Sequence, residues 1–63
     1  MRFQYAKKLA NRDEIKLKST GEVGYVLGEP VLHPRKKNRP PWVEIPAQFS
    51  STGYTQVDHT KVE

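Results

Sequence analysis

Arg35, Lys36, Lys37 and Arg39 place four cations within five positions, and the only tryptophan, Trp42, follows just beyond Pro40 and Pro41. Side chains of these types suit polyanion binding: exposed guanidinium and ammonium groups neutralise phosphates, and an aromatic face within reach stacks on a base. Four such contacts on a duplex would give log K a slope of about −3.6 against log salt. The competing reading is a polar hairpin tip whose cations keep the protein soluble while Trp42 caps the core with one face. Lys36-Lys37-Asn38-Arg39 also matches the short nuclear-import pattern K-K-x-R.

Little else in the chain could do chemistry. His33 and His59 are the only histidines and there is no cysteine, so no ligand set accompanies them and no metal site is expected. His33 reads as a partly buried residue or a strand cap. Asp58-His59 invites a catalytic dyad with Ser50, Ser51 or Thr52 as nucleophile, but neither a base-to-nucleophile arrangement nor an oxyanion site is signalled. The spacing of Gly21, Gly24 and Gly28 fits neither dinucleotide nor P-loop glycine patterns, so they read as turn and bulge residues. The expectation is a protein that is not an enzyme and takes no cofactor.

Sixty-three residues allow one small domain, spanning 1–63. A chain of this size buries only about 60% of its unfolded surface, which makes a homo-oligomer a fair expectation. The net charge of +4 is concentrated in two blocks. One is the 35–39 run; the other holds Arg2, Lys7, Lys8, Arg12, Lys16 and Lys18 against Asp13 and Glu14. Lys7 and Lys8 either extend the basic surface or form an ordinary wet face. The absence of cysteine argues against a disulfide-braced secreted domain. No apolar run approaches the roughly 18 residues of a membrane span, and no signal-peptide stretch opens the chain. A soluble, cytoplasmic protein without membrane contact is expected.

The elements that must position the basic run are strands. Glu14-Ile15-Lys16-Leu17-Lys18 alternates charged and apolar residues, the mark of a half-buried antiparallel strand. A turn at Ser19-Thr20-Gly21-Glu22 leads to a second strand, Val23-Gly24-Tyr25-Val26-Leu27, in which Gly24 marks a bulge or a close backbone approach. After a bend near Gly28-Glu29-Pro30, strand character resumes at Val31-Leu32-His33. Pro34, Pro40 and Pro41 bracket the cations, so 34–41 reads as a basic loop. Trp42 to Ile45 forms the next strand, ended by Pro46, with Val43 and Ile45 inward and Trp42 and Glu44 outward. Gln48 to Gly53 reads as a turn with Phe49 plugging the core, Tyr54 to Val57 as a short last strand, and 58–62 as a single helical turn. For residues 2–10 both a helix and a strand are open. The strand is favoured, because Asn11-Arg12-Asp13 reads as a turn feeding directly into Ile15.

The stretches Asn11-Arg12-Asp13-Glu14-Ile15-Lys16-Leu17 and Thr20-Gly21-Glu22-Val23-Gly24-Tyr25-Val26 resemble the opening of SH3-like small barrels, closest to their KOW-type variants. Those have a "GD-x-V" strand, a turn and a "G-x-V" strand; here Asn11-Arg12 stands where the pattern has glycine before Asp13. Residues 57–63 resemble the turn and terminal residues that seal such barrels. The resemblance implies an all-β fold, a five-stranded barrel of strongly bent antiparallel strands, which binds RNA, DNA or protein segments and rarely does chemistry.

Two functional readings follow. In the first, a small basic module holds nucleic acid, with Arg35, Lys36, Lys37 and Arg39 on phosphates and Trp42 and Tyr25 as stacking platforms. In the second, a structural or adaptor protein, of a kind that would suit a phage or mobile element, pairs with itself or with another protein. It would do so through strand edges or an exposed apolar patch, with Trp42, Tyr54 and Phe49 as anchors.

Overall fold

A computed structural model describes the whole chain, residues 1–63. Five antiparallel strands form one curled sheet: β1 (Glu14–Lys16), β2 (Val23–Val26), β3 (Val31–His33), β4 (Trp42–Phe49) and β5 (Gly53–Asp58). A helical turn, α1 (Phe3–Ala6), precedes them and a 3-10 turn (His59–Lys61) follows. This is the five-stranded all-β fold expected, a curled antiparallel sheet consistent with the SH3-like barrel that the resemblance implies. No helix is long and apolar enough to cross a membrane.

β2, β3 and β4 together make one long bent hairpin. Its inner half pairs Gly24 with Phe49 through Val26 with Ala47, and its outer half pairs Val31 with Glu44 through His33 with Trp42. Between the halves, residues 27–30 on one strand face only 45–46 on the other. That excess is the bend foreseen at Gly28-Glu29-Pro30, and it explains a difference from the sequence reading. Pro46 does not end its strand. Its carbonyl accepts the Leu27 N–H at 2.9 Å, so the missing proline N–H would have pointed at the bulged side, where no regular partner waits. β4 therefore runs on to Phe49, and the turn expected over 48–53 shrinks to Ser50–Thr52.

Alternation along β4 sends Val43, Ile45, Ala47 and Phe49 into the core, where they join Ile15, Val26 and Val62 with Ala6 and Leu9 from the N-terminal segment. Phe49 is thus a core residue and not an interface anchor. Gly24 resolves as a close approach without a bulge, lying in unbroken register between Ile15 and Phe49. A Cβ at position 24 would sit 2.5 Å from both the Phe49 ring and the Gln48 carbonyl oxygen.

The favoured N-terminal strand is not formed. Residues 3–6 coil into α1, with the Ala6 N–H donating to Arg2 O at 2.9 Å, because the free edge of β1 is already taken. Leu17 bridges Val62, Lys18 N–H donates to Lys61 O at 2.9 Å and Glu63 N–H donates to Lys16 O at 2.9 Å. With the β1 edge occupied, the segment folds over the open core and inserts Ala6 and Leu9. The terminal amine donates to the carbonyls of His59 and Val62.

Arg12 is the only non-glycine residue with positive φ, at 77°. Its N–H and the Asp13 carbonyl both bond Val26, at 2.6 and 2.8 Å, so two residues face one and the chain must turn left-handed to enter β1. The SH3-like pattern has its glycine before Asp13, the place Arg12 occupies.

Two substitutions test these constraints by urea unfolding. Gly24→Ala is expected to lower the unfolding free energy by about 1–3 kcal/mol, the cost of forcing volume into a filled core. Arg12→Gly is expected to raise it by roughly 0.5–1 kcal/mol, because a Cβ in left-handed backbone costs about 1–2 kcal/mol and glycine's unfolded-state freedom returns only part of that.

Candidate functional site

The basic segment is ordered by the same ladder that builds the barrel. Lys36 and Arg39 pair in the register set by His33 and Trp42, exchanging N–H to O bonds of 3.0 and 3.1 Å across a two-residue connection, Lys37-Asn38. The prolines between these pairs remove ladder donors without breaking the register. What reads in sequence as a loop over 34–41 is therefore the end of a β-ribbon. The molecule is correspondingly elongated, 35 × 22 × 17 Å.

The four cations of this tip do not behave alike. Arg39 folds back onto the barrel, with Nη2 donating to Asp58 Oδ2 at 2.8 Å and its guanidinium 4.2 Å from the Trp42 ring centre. Arg35, Lys36 and Lys37 are exposed and form no ion pair, which leaves three free charges at the outer end.

Trp42 faces outward as expected, yet its ring is already in use. The His33 imidazole, its cross-strand partner, stacks on it at 4.1 Å with planes 8° apart, and Arg39 lies against it as well. His33 in turn donates from Nε2 to Glu44 Oε1 at 2.8 Å. Such stacking and cation–π contacts contribute about 0.5–2 kcal/mol each and hold the base of the ribbon rigid. Trp42 is thus a brace for Arg39 and His33, and its ring is not an open platform.

Asp58 and His59 have structural duties. Asp58 caps the 3-10 turn, accepting the Thr60 N–H at 2.9 Å and the Thr60 hydroxyl at 3.0 Å. Burial alone would push its carboxyl up, but the two Thr60 bonds, with the Arg39 charge added, hold it below the usual aspartate range. His59 is buried, and its Nδ1 accepts the Val43 N–H at 3.2 Å where β5 leaves the ladder. Asp58 Oδ1 lies 3.3 Å from the same nitrogen, but a nitrogen that accepts a hydrogen bond carries no proton, so this contact is not an ion pair. Ser50 and Ser51 bond the Glu22 carboxylate and not His59, joining two turns and lowering the Glu22 pKa.

The remaining candidates are dispersed. Tyr25 lies on the outer sheet face opposite Gln48, six positions along β4 from Trp42, or about 20 Å at strand rise. Lys7 and Lys8 are exposed at the end of α1. Lys7 Nζ sits 5.2 Å from the Phe3 ring, whose edge meets His59 at 5.6 Å, so this block connects to the ribbon base through the core rather than across the outer face. No group of three or more His, Cys, Asp or Glu side chains gathers anywhere, and no pocket indents the surface. Comparison with protein-family models, curated proteins and solved structures gives no match to the chain.

The sequence reading missed Asp58 as the partner of Arg39. The signal was present in the outward set Trp42, Glu44 and Asp58, but it becomes legible only once β4 is continued through Pro46 and paired with β5 as Glu44 to Asp58.

The brace has a definite pH response. Because the folded carboxyl of Asp58 titrates below its unfolded value of about 3.9, its contribution is complete above that value and disappears as pH falls through the lower folded pKa. Trp42 fluorescence is expected to change over this acidic window as Arg39 is released, and Asp58→Asn should show the released signal already at neutral pH.

Proposed function

We propose that the chain is a small, non-enzymatic binding module of the SH3-like, KOW-type kind that holds nucleic acid by its phosphates. The observation that supports this reading is the register-locked ribbon, which carries Arg35, Lys36 and Lys37 unpaired to the far end of the molecule. Cations on a rigid projection lose little conformational freedom on meeting a phosphate row, and their charge is not neutralised internally. A polar tip that served solubility alone would need neither the ladder nor the Arg39, Trp42 and Asp58 brace beneath it.

Within this reading the residues divide by role. Arg35, Lys36 and Lys37 contact phosphates. Arg39 and Trp42 fix the angle of the ribbon. Lys7 and Lys8 add to the positive field that draws a polyanion in, and Tyr25 offers a stacking face to a strand long enough to lie along β4. Recognition through phosphates carries no base sequence, so affinity is expected to be modest and sequence-independent.

A salt series with labelled oligonucleotides tests this. Three phosphate contacts predict a slope of about −2.7 in log K against log salt on duplex DNA, and replacing Arg35, Lys36 and Lys37 by alanine should remove most of it without altering thermal stability. Absence of binding at low salt, or an unchanged slope in the triple variant, would rule the reading out.

A further inference from the structure

The sheet has three strands with an outer edge, and two of these edges are blocked. β1 is covered by residues 61–63 through the bonds from Lys18 N–H to Lys61 O and from Glu63 N–H to Lys16 O. β3 is only three residues long and lies between Pro30 and Pro34, a usual device against further pairing. β5 has no such protection. Gly53–Asp58 pairs with β4 in unbroken register over six residues, and Tyr54-Thr55-Gln56-Val57 contains no proline, no charge and no bulge.

The ladder geometry shows which groups lie open. In an antiparallel pair each residue directs its N–H and C=O to one side, alternating along the strand. The Pro46 carbonyl bonds Leu27, so Pro46 and its partner Gln56 form a non-hydrogen-bonded pair, and the Gln56 N–H and C=O point away from β4. By the same alternation those of Tyr54 and Asp58 do too. Apart from the Asp58 carbonyl, whose N-cap position turns it to the 3-10 turn, these backbone groups have no partner outside the ladder. Next to them, the Tyr54 side chain is 61% exposed.

We infer that β5 is a self-association edge, on which a second copy of the chain adds its own β5 antiparallel about a two-fold axis at Gln56. Gln56 then pairs with its symmetry mate, Tyr54 with Asp58 of the second copy, and Thr55 with Val57 of the second copy. No like charges oppose one another in this register, and the out-facing N–H and C=O groups of residues 54, 56 and 58 that lack a partner are satisfied together. Charge selects this edge for a second copy. Two molecules of net charge +4 repel, and β5 is cation-free with its one acid, Asp58, already balanced by Arg39. Size favours the same outcome, since a nine-residue hydrophobic core leaves a thin stability margin that pairing would widen. This surface is independent of the ribbon tip and of the nucleic-acid reading.

A cysteine-free chain permits a direct test. A hydrogen-bonded antiparallel pair has Cα atoms about 5.5 Å apart, within the roughly 4.4–6.8 Å that a disulfide spans. Gln56→Cys should therefore oxidise to a covalent dimer, whereas Gln48→Cys, one strand inward on the same face, should remain monomeric. Gln56→Lys sets two like charges at the axis and should abolish the dimer seen by sedimentation, with far-UV circular dichroism reporting whether the fold is kept. Hydrogen exchange on the unmodified protein decides without any substitution: the Tyr54 and Gln56 amides should gain protection as concentration rises. A protein monomeric at every concentration, with those two amides exchanging as free groups, overturns the inference; so does a dimer that survives Gln56→Lys.

Discussion

The Phe49 ring fills the place where a side chain at position 24 would stand, and the course of the sheet depends on that approach. With no Cβ on Gly24, the backbone of β2 comes within van der Waals reach of β4, and the sheet can curl tightly enough to bring β1 and Val62 together. A wider separation would open the seam between Leu17 and Val62. The N-terminal segment would then lose the floor on which Ala6 and Leu9 rest. In so small a core, closure comes from one tight approach rather than from buried volume.

The same strand that carries Phe49 at one end carries Trp42 at the other, so the core and the candidate interface are coupled through β4. Pro46 stands between them opposite the four-residue excursion of 27–30 and separates a barrel half from a ribbon half. Val43 is the last core residue in that direction; beyond it the ladder continues without a core beneath it, and stacking and ion pairing replace burial. Leu32 shares the face of its cross-strand partner Val43 but is 53% exposed where Val43 is fully buried, because β3 is an edge strand with no neighbour on its outer side. The Trp42 ring with His33 and Arg39, and the Arg39 to Asp58 bond, supply locally the rigidity that a core supplies elsewhere. This arrangement commits one of the four tip cations to structure and leaves three unpaired.

Much of this was legible from residue order. Alternation at 14–18 located β1, β-branched and aromatic content located β2, and the glycine-glutamate-proline bend fell where the hairpin bulges. The failures have a common origin, because each depended on which edge of a strand was already occupied. Pro46 looks like a terminator until the bulge opposite it is known, and Phe3 with Tyr5 looks like a strand face until Val62 is seen on the edge of β1. Arg12 is instructive in the other direction. Its departure from glycine looked like a mismatch in composition, yet the backbone there keeps the left-handed turn that the pattern demands, so the mismatch is energetic and local. Side-chain pairing was the least legible level, since Arg39 finds Asp58 only through the register of two strands.

The bridge from Leu17 to Val62 joins the two ends of the folding unit, and that has a kinetic meaning. Hairpins such as β4–β5 close locally and early, whereas a contact across most of the chain must wait for loop-closure entropy to be overcome. Until Val62 docks, the edge of β1 is open, and a chain caught in that interval can capture a neighbour as readily as its own terminus. How long the edge of β1 stays open is then set by how quickly one valine reaches the far side of the sheet.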